Sequence, residues 1–253
     1  MKQCMAANWK MFKTIAEAGQ TARELVQKVA PSLPSDREVL LIPPFTALKA
    51  VADVLGDTPG FALGGQNFYP AEQGAYTGEI APDMLLDAGC SHALVGHSER
   101  RHILGETDGF LAQKVSFGLE AGMQIILCIG ETLDERKSGR VTEVLDRQLG
   151  SALENVSAEG IAERLAIAYE PVWAIGTGEV ARSQDIAEAH ATIRQRLEAF
   201  FPGQARELRI LYGGSVKPGN ASEIICIDNV DGVLVGGAGL QADSFSQIVL
   251  AGR

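Results

Sequence analysis

The chain has 253 residues, 46% of them hydrophobic and 21% charged, with a formal net charge of −10. That length is near the typical size of about 250 for a closed β/α barrel and is enough to bury roughly 70 to 75% of the unfolded surface, in one large domain or two small ones. The negative balance, with no basic run to displace counterions, excludes a nucleic-acid backbone as partner, and no stretch approaches the roughly 20 apolar residues of a membrane span.

The first ten residues carry one early lysine but no apolar core before a small-residue cleavage site, so the expected compartment is the cytosol. From there, short apolar runs recur about every 30 residues, with helical patterns between them and no Pro/Ser-rich linker. The predicted strands are 4–8, 38–42, 61–65, 92–95, 124–129, 165–169, 208–211 and 232–235. A helix is expected over 14–29, where Ile15, Ala18, Ala22, Leu25, Val26 and Val29 form a stripe laid against a sheet. A second is expected over 183–200, with Ser183 as its cap and Asp185 and Glu188 near the positive end of the helix dipole. The rhythm predicts a single β/α domain over residues 1–253. Periodicity alone leaves two architectures open, a closed barrel and an open doubly wound sheet. The four cysteines, Cys4, Cys90, Cys128 and Cys226, have no paired spacing that would point to a zinc or redox site, so they are expected to be free thiols.

Both architectures present ligands to the carboxyl ends of the strands. The first strand runs into Asn8, Trp9 and Lys10, the fourth into Gly96, His97, Ser98 and Glu99, and the sixth into Glu170 and Pro171. Each has an ordinary explanation: a solvated loop glutamate, a surface lysine, a histidine that only makes a hydrogen bond. In a barrel, however, these three strand ends face one mouth, which would gather a base, a donor and a cation around one small ligand. Gly213, Gly214 and Ser215 follow the seventh strand, and Gly236, Gly237 and Ala238 the eighth. One glycine pair reads as a turn; two pairs at strands seven and eight match the place where barrels hold phosphate. With so negative a chain, an anion has to be attracted locally, by peptide amides and an isolated lysine. The segment 171–179 is apolar through Val172, Trp173, Ala174 and Ile175 before Gly176 and Gly178, and reads as a buried loop or as a lid that excludes water.

Five blocks then carry a family resemblance: Asn8-Trp9-Lys10-Met11, Gly96-His97-Ser98-Glu99-Arg100-Arg101, Cys128-Ile129-Gly130-Glu131-Thr132, the run from Tyr169 to Gly178, and Tyr212-Gly213-Gly214-Ser215-Val216. In order and over nearly the full length, the chain resembles the triosephosphate isomerase family. The resemblance implies the closed eight-stranded parallel β/α barrel, the TIM barrel. It also implies interconversion of dihydroxyacetone phosphate and glyceraldehyde 3-phosphate, with no metal or cofactor. By the same resemblance Glu170 is the base, and His97 is a neutral imidazole kept so by the helix that begins near Ser98, a tuning for which this family is itself a type case. Lys10 would be the cation beside Asn8, and Gly176, Ser215, Gly236 and Gly237 would bind phosphate. Glu99, Ser98 and Cys128 would support the site, while Ile175 and Leu234 would press on the carboxylate. Thr77, in the stretch Gly74 to Glu79, would reach a second subunit of a homodimer; a flexible surface loop reads the same stretch equally well. The chain departs from the family at Gly239, where Ser is common, and at Phe12, where Asn is frequent, so the hydrogen bonding beyond strand eight is left open. An epimerase or aldolase barrel would share the glycine pairs, but an aldolase needs a Schiff-base lysine inside the barrel and no predicted strand carries one. A non-catalytic phosphate-binding barrel would lack Glu170 or His97.

Overall fold

Strands buried on both faces are expected to be apolar on both, and these eight are, except mainly at their amino ends. The computed structural model describes residues 1–176 and 179–252. Its strands are β1 (Gln3–Asn8), β2 (Arg37–Ile42), β3 (Phe61–Gly65), β4 (His92–Val95), β5 (Gln124–Ile129), β6 (Leu165–Tyr169), β7 (Arg209–Tyr212) and β8 (Gly232–Val235). Each pairs in parallel with the next, and β8 returns to β1 through Cys4↔Gly232 to Ala7↔Val235, closing the barrel. The choice left open by periodicity is thereby settled. The strands match their predicted spans, except that β1 and β2 begin one residue earlier and β7 sits one residue later than predicted.

Alternation along each strand divides the core in two. Cys4, Ala6, Leu40, Leu94, Ile126 and Leu211 belong to a cluster that fills the lumen. Their neighbours Met5, Ala7, Val39, Leu41, Ile125 and Ile167 belong to the larger layer under the helices. Those helices are α1 (Ile15–Val29), α2 (Leu48–Leu55), α3 (Pro82–Asp87), α4 (Ser98–His102), α5 (Asp108–Glu120), α6 (Leu133–Lys137), α7 (Val141–Leu153), α8 (Ile161–Arg164), α9 (Ser183–Phe200), α10 (Pro218–Ile225) and α11 (Ala242–Val249). Among the described residues, no helix is long and apolar enough to cross a membrane.

Helix α1 starts at a reciprocal cap: the Thr14 amide donates to the Glu17 carboxylate at 2.7 Å, and Thr14 Oγ1 accepts from the Glu17 amide. It buries Ala18, Ala22, Leu25 and Val29 as the stripe predicts, but Ile15, in the first turn, is 57% exposed. Leu25 is fully buried, so truncation to Ala is expected to cost about 2–5 kcal/mol. Helix α9 has its predicted span with a different cap. Arg182, not Ser183, holds the cap position, and Asp185 accepts from the Arg182 amide at 3.3 Å and from its guanidinium at 2.9 Å. Ser183 turns outward to Glu223.

The lumen ends differently at its two poles. At the amino ends of the strands, Glu38 of β2 and Arg209 of β7 form an ion pair across the floor. Beside it lie Cys4, whose thiol burial pushes up to about 12, and His92, which burial and then the Arg209 charge bring down to about 4. The carboxyl ends open instead into a cavity.

Candidate active site

A cavity of about 400 Å³ opens at the carboxyl ends of the strands, and ten of the sequence-predicted residues line it: Asn8, Lys10, His97, Glu170, Ile175, Gly176, Ser215, Leu234, Gly236 and Gly237. They come from the ends of β1, β4, β6, β7 and β8, so barrel closure alone converts scattered positions into one wall.

Lys10 leaves β1 in the left-handed region, φ +50°, a conformation that costs a non-glycine residue about 1 kcal/mol or more. Two bonds hold it there. Its amide donates to Asn8 Oδ1 at 2.9 Å, and its carbonyl accepts from Gln66 Nε2 at 2.7 Å. The result turns the long side chain into the cavity, where Nζ meets Glu99 Oε1 at 2.7 Å.

His97 caps α4, and the Glu99 amide donates to its Nδ1 at 3.3 Å. A ring nitrogen that accepts there leaves the other, Nε2, as the proton-bearing one. Nε2 lies 3.1 Å from Glu170 Oε1. The Ser98 amide donates to Glu170 Oε2 at 2.8 Å, so both carboxylate oxygens are engaged by the start of α4.

The chain beneath Glu170 is fixed closely. Its amide donates to the Ile129 carbonyl at 2.7 Å, and the next residue of that strand end, Gly130, has φ +159°. A Cβ there would stand 1.8 Å from the Glu170 carbonyl oxygen, which leaves glycine as the sole residue that fits. A Cβ on Gly213 would meet Glu170 Cγ at 2.9 Å, so that glycine provides the room in which the carboxylate side chain turns.

Ser98 and Glu99 thus reach the site by touching the residues that line it. Cys128 lies in the lumen below, with a thiol pushed well up by burial first and then by the Glu170 charge. Thr77 is exposed and lies apart from the cavity. Of the apolar segment, Ala174 is buried, Val172, Trp173 and Ile175 are half-buried, and Gly176 is exposed, while Thr177 and Gly178 lie outside the described residues. The amides of Ser215, Gly236 and Gly237 donate to no protein acceptor among the described residues, which leaves three donors at the rim for an anion.

The Gly239 departure also has a physical reading. Its amide donates to the Gly236 carbonyl at 2.8 Å, and a Cβ would stand 3.0 Å from the Ala7 Cβ. The turn beyond β8 is closed by backbone bonds and packs too tightly on β1 to take a side chain without a shift of a few tenths of an ångström. Phe12, the other departure, is exposed outside the cavity.

Sequence reasoning missed the braces behind these groups. Arg101 donates from Nε to the Gly96 carbonyl at 2.8 Å and from Nη2 to the Cys128 carbonyl at 3.0 Å, and pairs with Asp108, bracing the turn that presents His97. Glu131, fully buried, accepts from Trp173 Nε1 at 2.8 Å and from the Tyr169 hydroxyl at 3.1 Å, and pairs with Arg136 at 3.1 Å. That anchor fixes the apolar half of the segment after β6. Lys217 also lines the cavity.

The comparisons with known proteins agree with this geometry. Residues 3–252 match the model of the triosephosphate isomerase family. The triosephosphate isomerase of Nitratidesulfovibrio vulgaris (strain DP4) is 61% identical over 251 residues, covering 99% of this chain and all of the relative, and that of Lawsonia intracellularis is 49% identical over 252 residues, covering 100% of this chain and 99% of the relative. The crystal structure of triosephosphate isomerase from Bartonella henselae superposes with a TM-score of 0.88 at 40% identity, covering 98% of each chain. The chain belongs to the triosephosphate isomerase family.

Proposed function

We propose that Glu170, His97 and Lys10 carry the interconversion of dihydroxyacetone phosphate and D-glyceraldehyde 3-phosphate, the isomerisation characteristic of the family to which the chain belongs. The single observation behind these roles is that carboxylate, imidazole and ammonium border one cavity whose opposite rim offers unbonded amides.

Glu170 leaves its two bonds to α4 and takes a proton from the carbon beside the substrate carbonyl. The electron pair moves onto the carbonyl oxygen to form an enediolate, and the proton then returns from Glu170 to the neighbouring carbon. His97 presents Nε2–H to the oxygens, stabilising the charge as it grows and passing a proton between them. Lys10 adds a fixed positive charge, which Asn8 positions through the Lys10 amide. Ser215, Gly236, Gly237 and Gly176 hold the phosphate. Ile175 and Leu234, both on the cavity wall, strip water from the carboxylate and strengthen it as a base. The segment after β6 acts as a lid that keeps water from the enediolate and prevents loss of phosphate. Ser98, Glu99 and Cys128 support these groups from behind.

The protein works as a homodimer in the cytoplasm, with Thr77 reaching the partner's site. Support for the pairing comes from exposed apolar residues on the adjoining loops after β1 and β3, Met11 and Tyr76, which Gln66 ties together through the Lys10 carbonyl. An aldolase reading finds no support, since no strand carries a lysine.

The test is a coupled assay with glyceraldehyde 3-phosphate, with and without a chelator. Turnover unaffected by the chelator is expected; absence of turnover, or its loss on chelation, overturns the proposal.

A further inference from the structure

The charges bordering the cavity do not favour a dianion unless one residue outside the roles above is included. Glu170 lies on the wall, and Glu99 pairs with Lys10 at 2.7 Å, so these three groups together leave one negative charge at the mouth of a chain already at −10. The remaining ionised group on the wall is Lys217. Among the described residues its ammonium has no ion-pair partner.

Its position is fixed by a side chain that serves both ends of a three-residue turn. Asn220 Oδ1 accepts from the Lys217 amide at 2.7 Å, while Asn220 Nδ2 donates to the Ser215 carbonyl at 3.1 Å. The clip holds Lys217 extended, φ −137° and ψ 162°, as the cap of α10, two residues beyond the free amide of Ser215. Lys217 lies on the same cavity wall as Ser215, Gly236 and Gly237 and is exposed, so its charge acts at the mouth through solvent and is open to screening by salt.

We infer that Lys217 is the unpaired cation that draws the substrate's phosphate dianion into the mouth and holds it against the Ser215 turn. The inference rests on the isomerase reading and adds to it the residue that sets the electrostatic part of substrate capture. Lys10 also comes close to this rim, its Nζ 3.8 Å from where a Cβ on Gly236 would stand, but its charge is paired with Glu99; Lys217, two residues beyond Ser215 on the same wall, adds a charge unpaired among the described residues.

The experiment compares parent, Lys217→Gln, Lys217→Glu and Lys217→Arg with glyceraldehyde 3-phosphate over ionic strengths from about 0.02 to 0.5 M, a range across which screening shortens from roughly 20 Å to a few ångströms. At low salt kcat/KM is expected to fall about fivefold in Lys217→Gln and about twentyfold in Lys217→Glu, chiefly through KM, with Lys217→Arg within about twofold of the parent. By the highest salt the differences are expected to shrink to about twofold or less. Lys217→Gln with the parent's kcat/KM and salt slope overturns the inference, as does a fall that salt leaves unchanged, the mark of a purely structural role. If the parent itself does not isomerise the triose phosphate, the isomerase reading fails separately. Titration with inorganic phosphate then decides the role of Lys217: weaker binding in Lys217→Gln upholds it and equal binding rejects it.

Discussion

The two poles of the barrel are built from the same strands and the same kinds of side chain, yet only one is chemically free. Strand β1 contributes Cys4 to the floor and Asn8 to the mouth, while β4 begins at His92 in the floor and leads to His97 at the mouth. At the floor, Glu38 and Arg209 satisfy one another across the lumen. At the mouth, Lys10, His97 and Glu170 are held by bonds that a substrate can replace, around a cavity instead of a plug. The lesson is that the residue types do not make a site: fixed partners make structure, and exchangeable partners beside open volume permit chemistry.

The comparison is broken most forcefully at Lys10. Lys10→Met is expected to lower kcat/KM by about 10³-fold, because in the proposed mechanism it removes the cation that stabilises the charge on the reacting oxygens, while the urea midpoint stays near that of the parent. Activity near the parent value would refute the assignment. Glu170→Asp comes next: retreat of the carboxylate by about 1 Å is expected to reduce turnover at least about 10²-fold with much less effect on phosphate affinity. Steady-state kinetics with inorganic phosphate as competitor separates the two quantities. Unaltered turnover would rule Glu170 out as the base.

Much of the mouth is legible in the sequence because barrels place strand ends together: with the strands assigned, Asn8, Lys10, His97 and Glu170 need only closure to meet. Eight short apolar runs carry that information. The braces are not legible in the same way. Gln66 meets Lys10 across 56 positions and Trp173 meets Glu131 across 42, and neither glutamine nor tryptophan in a loop carries a pattern that names its partner. Glu131 has one usable signal, an acid two residues beyond the end of β5. Ile15 misleads because periodicity tells which side of a helix is apolar but not where along its length burial begins. Ser183 misleads because serine is a common cap, whereas here Asp185 reaches back to Arg182 and leaves the hydroxyl for Glu223. Lys217 escapes notice because a lysine beside a glycine turn reads as a surface charge until a cavity wall is drawn through it.

At the floor the expected effect is on stability and not on rate. Arg209→Met leaves Glu38 without its partner, and with the glutamate side chain only a quarter exposed the loss is expected to be about 2 kcal/mol, less than for a fully buried pair. Denaturant unfolding measures it, and kcat is expected to stay within about twofold of the parent. A rate loss as large as that of Glu170→Asp would show that the two poles are coupled and would overturn their division into structure and chemistry. Replacing both partners, with Glu38→Leu added, is expected to recover part of the loss, since the uncompensated charge is then gone.

An effect no larger than that distinguishes the two histidines of the β4 region through pH. His97 has both ring nitrogens engaged at the mouth. His92 has Nδ1 at 2.8 Å from the Ser91 hydroxyl and a buried Nε2 without a partner among the described residues. Burial acts most strongly against protonation and the Arg209 charge adds to it, while Glu38 favours protonation more weakly, and the balance brings His92 to about 4. In the unfolded chain the same ring titrates near 6.5, so between these values the unfolded state binds more protons than the folded one. Stability is therefore complete above about pH 6.5 and declines as pH falls towards 4, by up to about 2 kcal/mol at pH 5 from this residue. His190, fully buried and also brought down to about 4, adds a similar decline with the same sign. Because carboxylates begin to protonate in the same range, the informative quantity is a difference. The urea-derived stability of His92→Gln is expected to fall by about 2 kcal/mol less than that of the parent between pH 7 and pH 5. Equal slopes for the two proteins would mean that the floor histidine takes up its proton without opening the barrel, and the floor would then be as adaptable as the mouth.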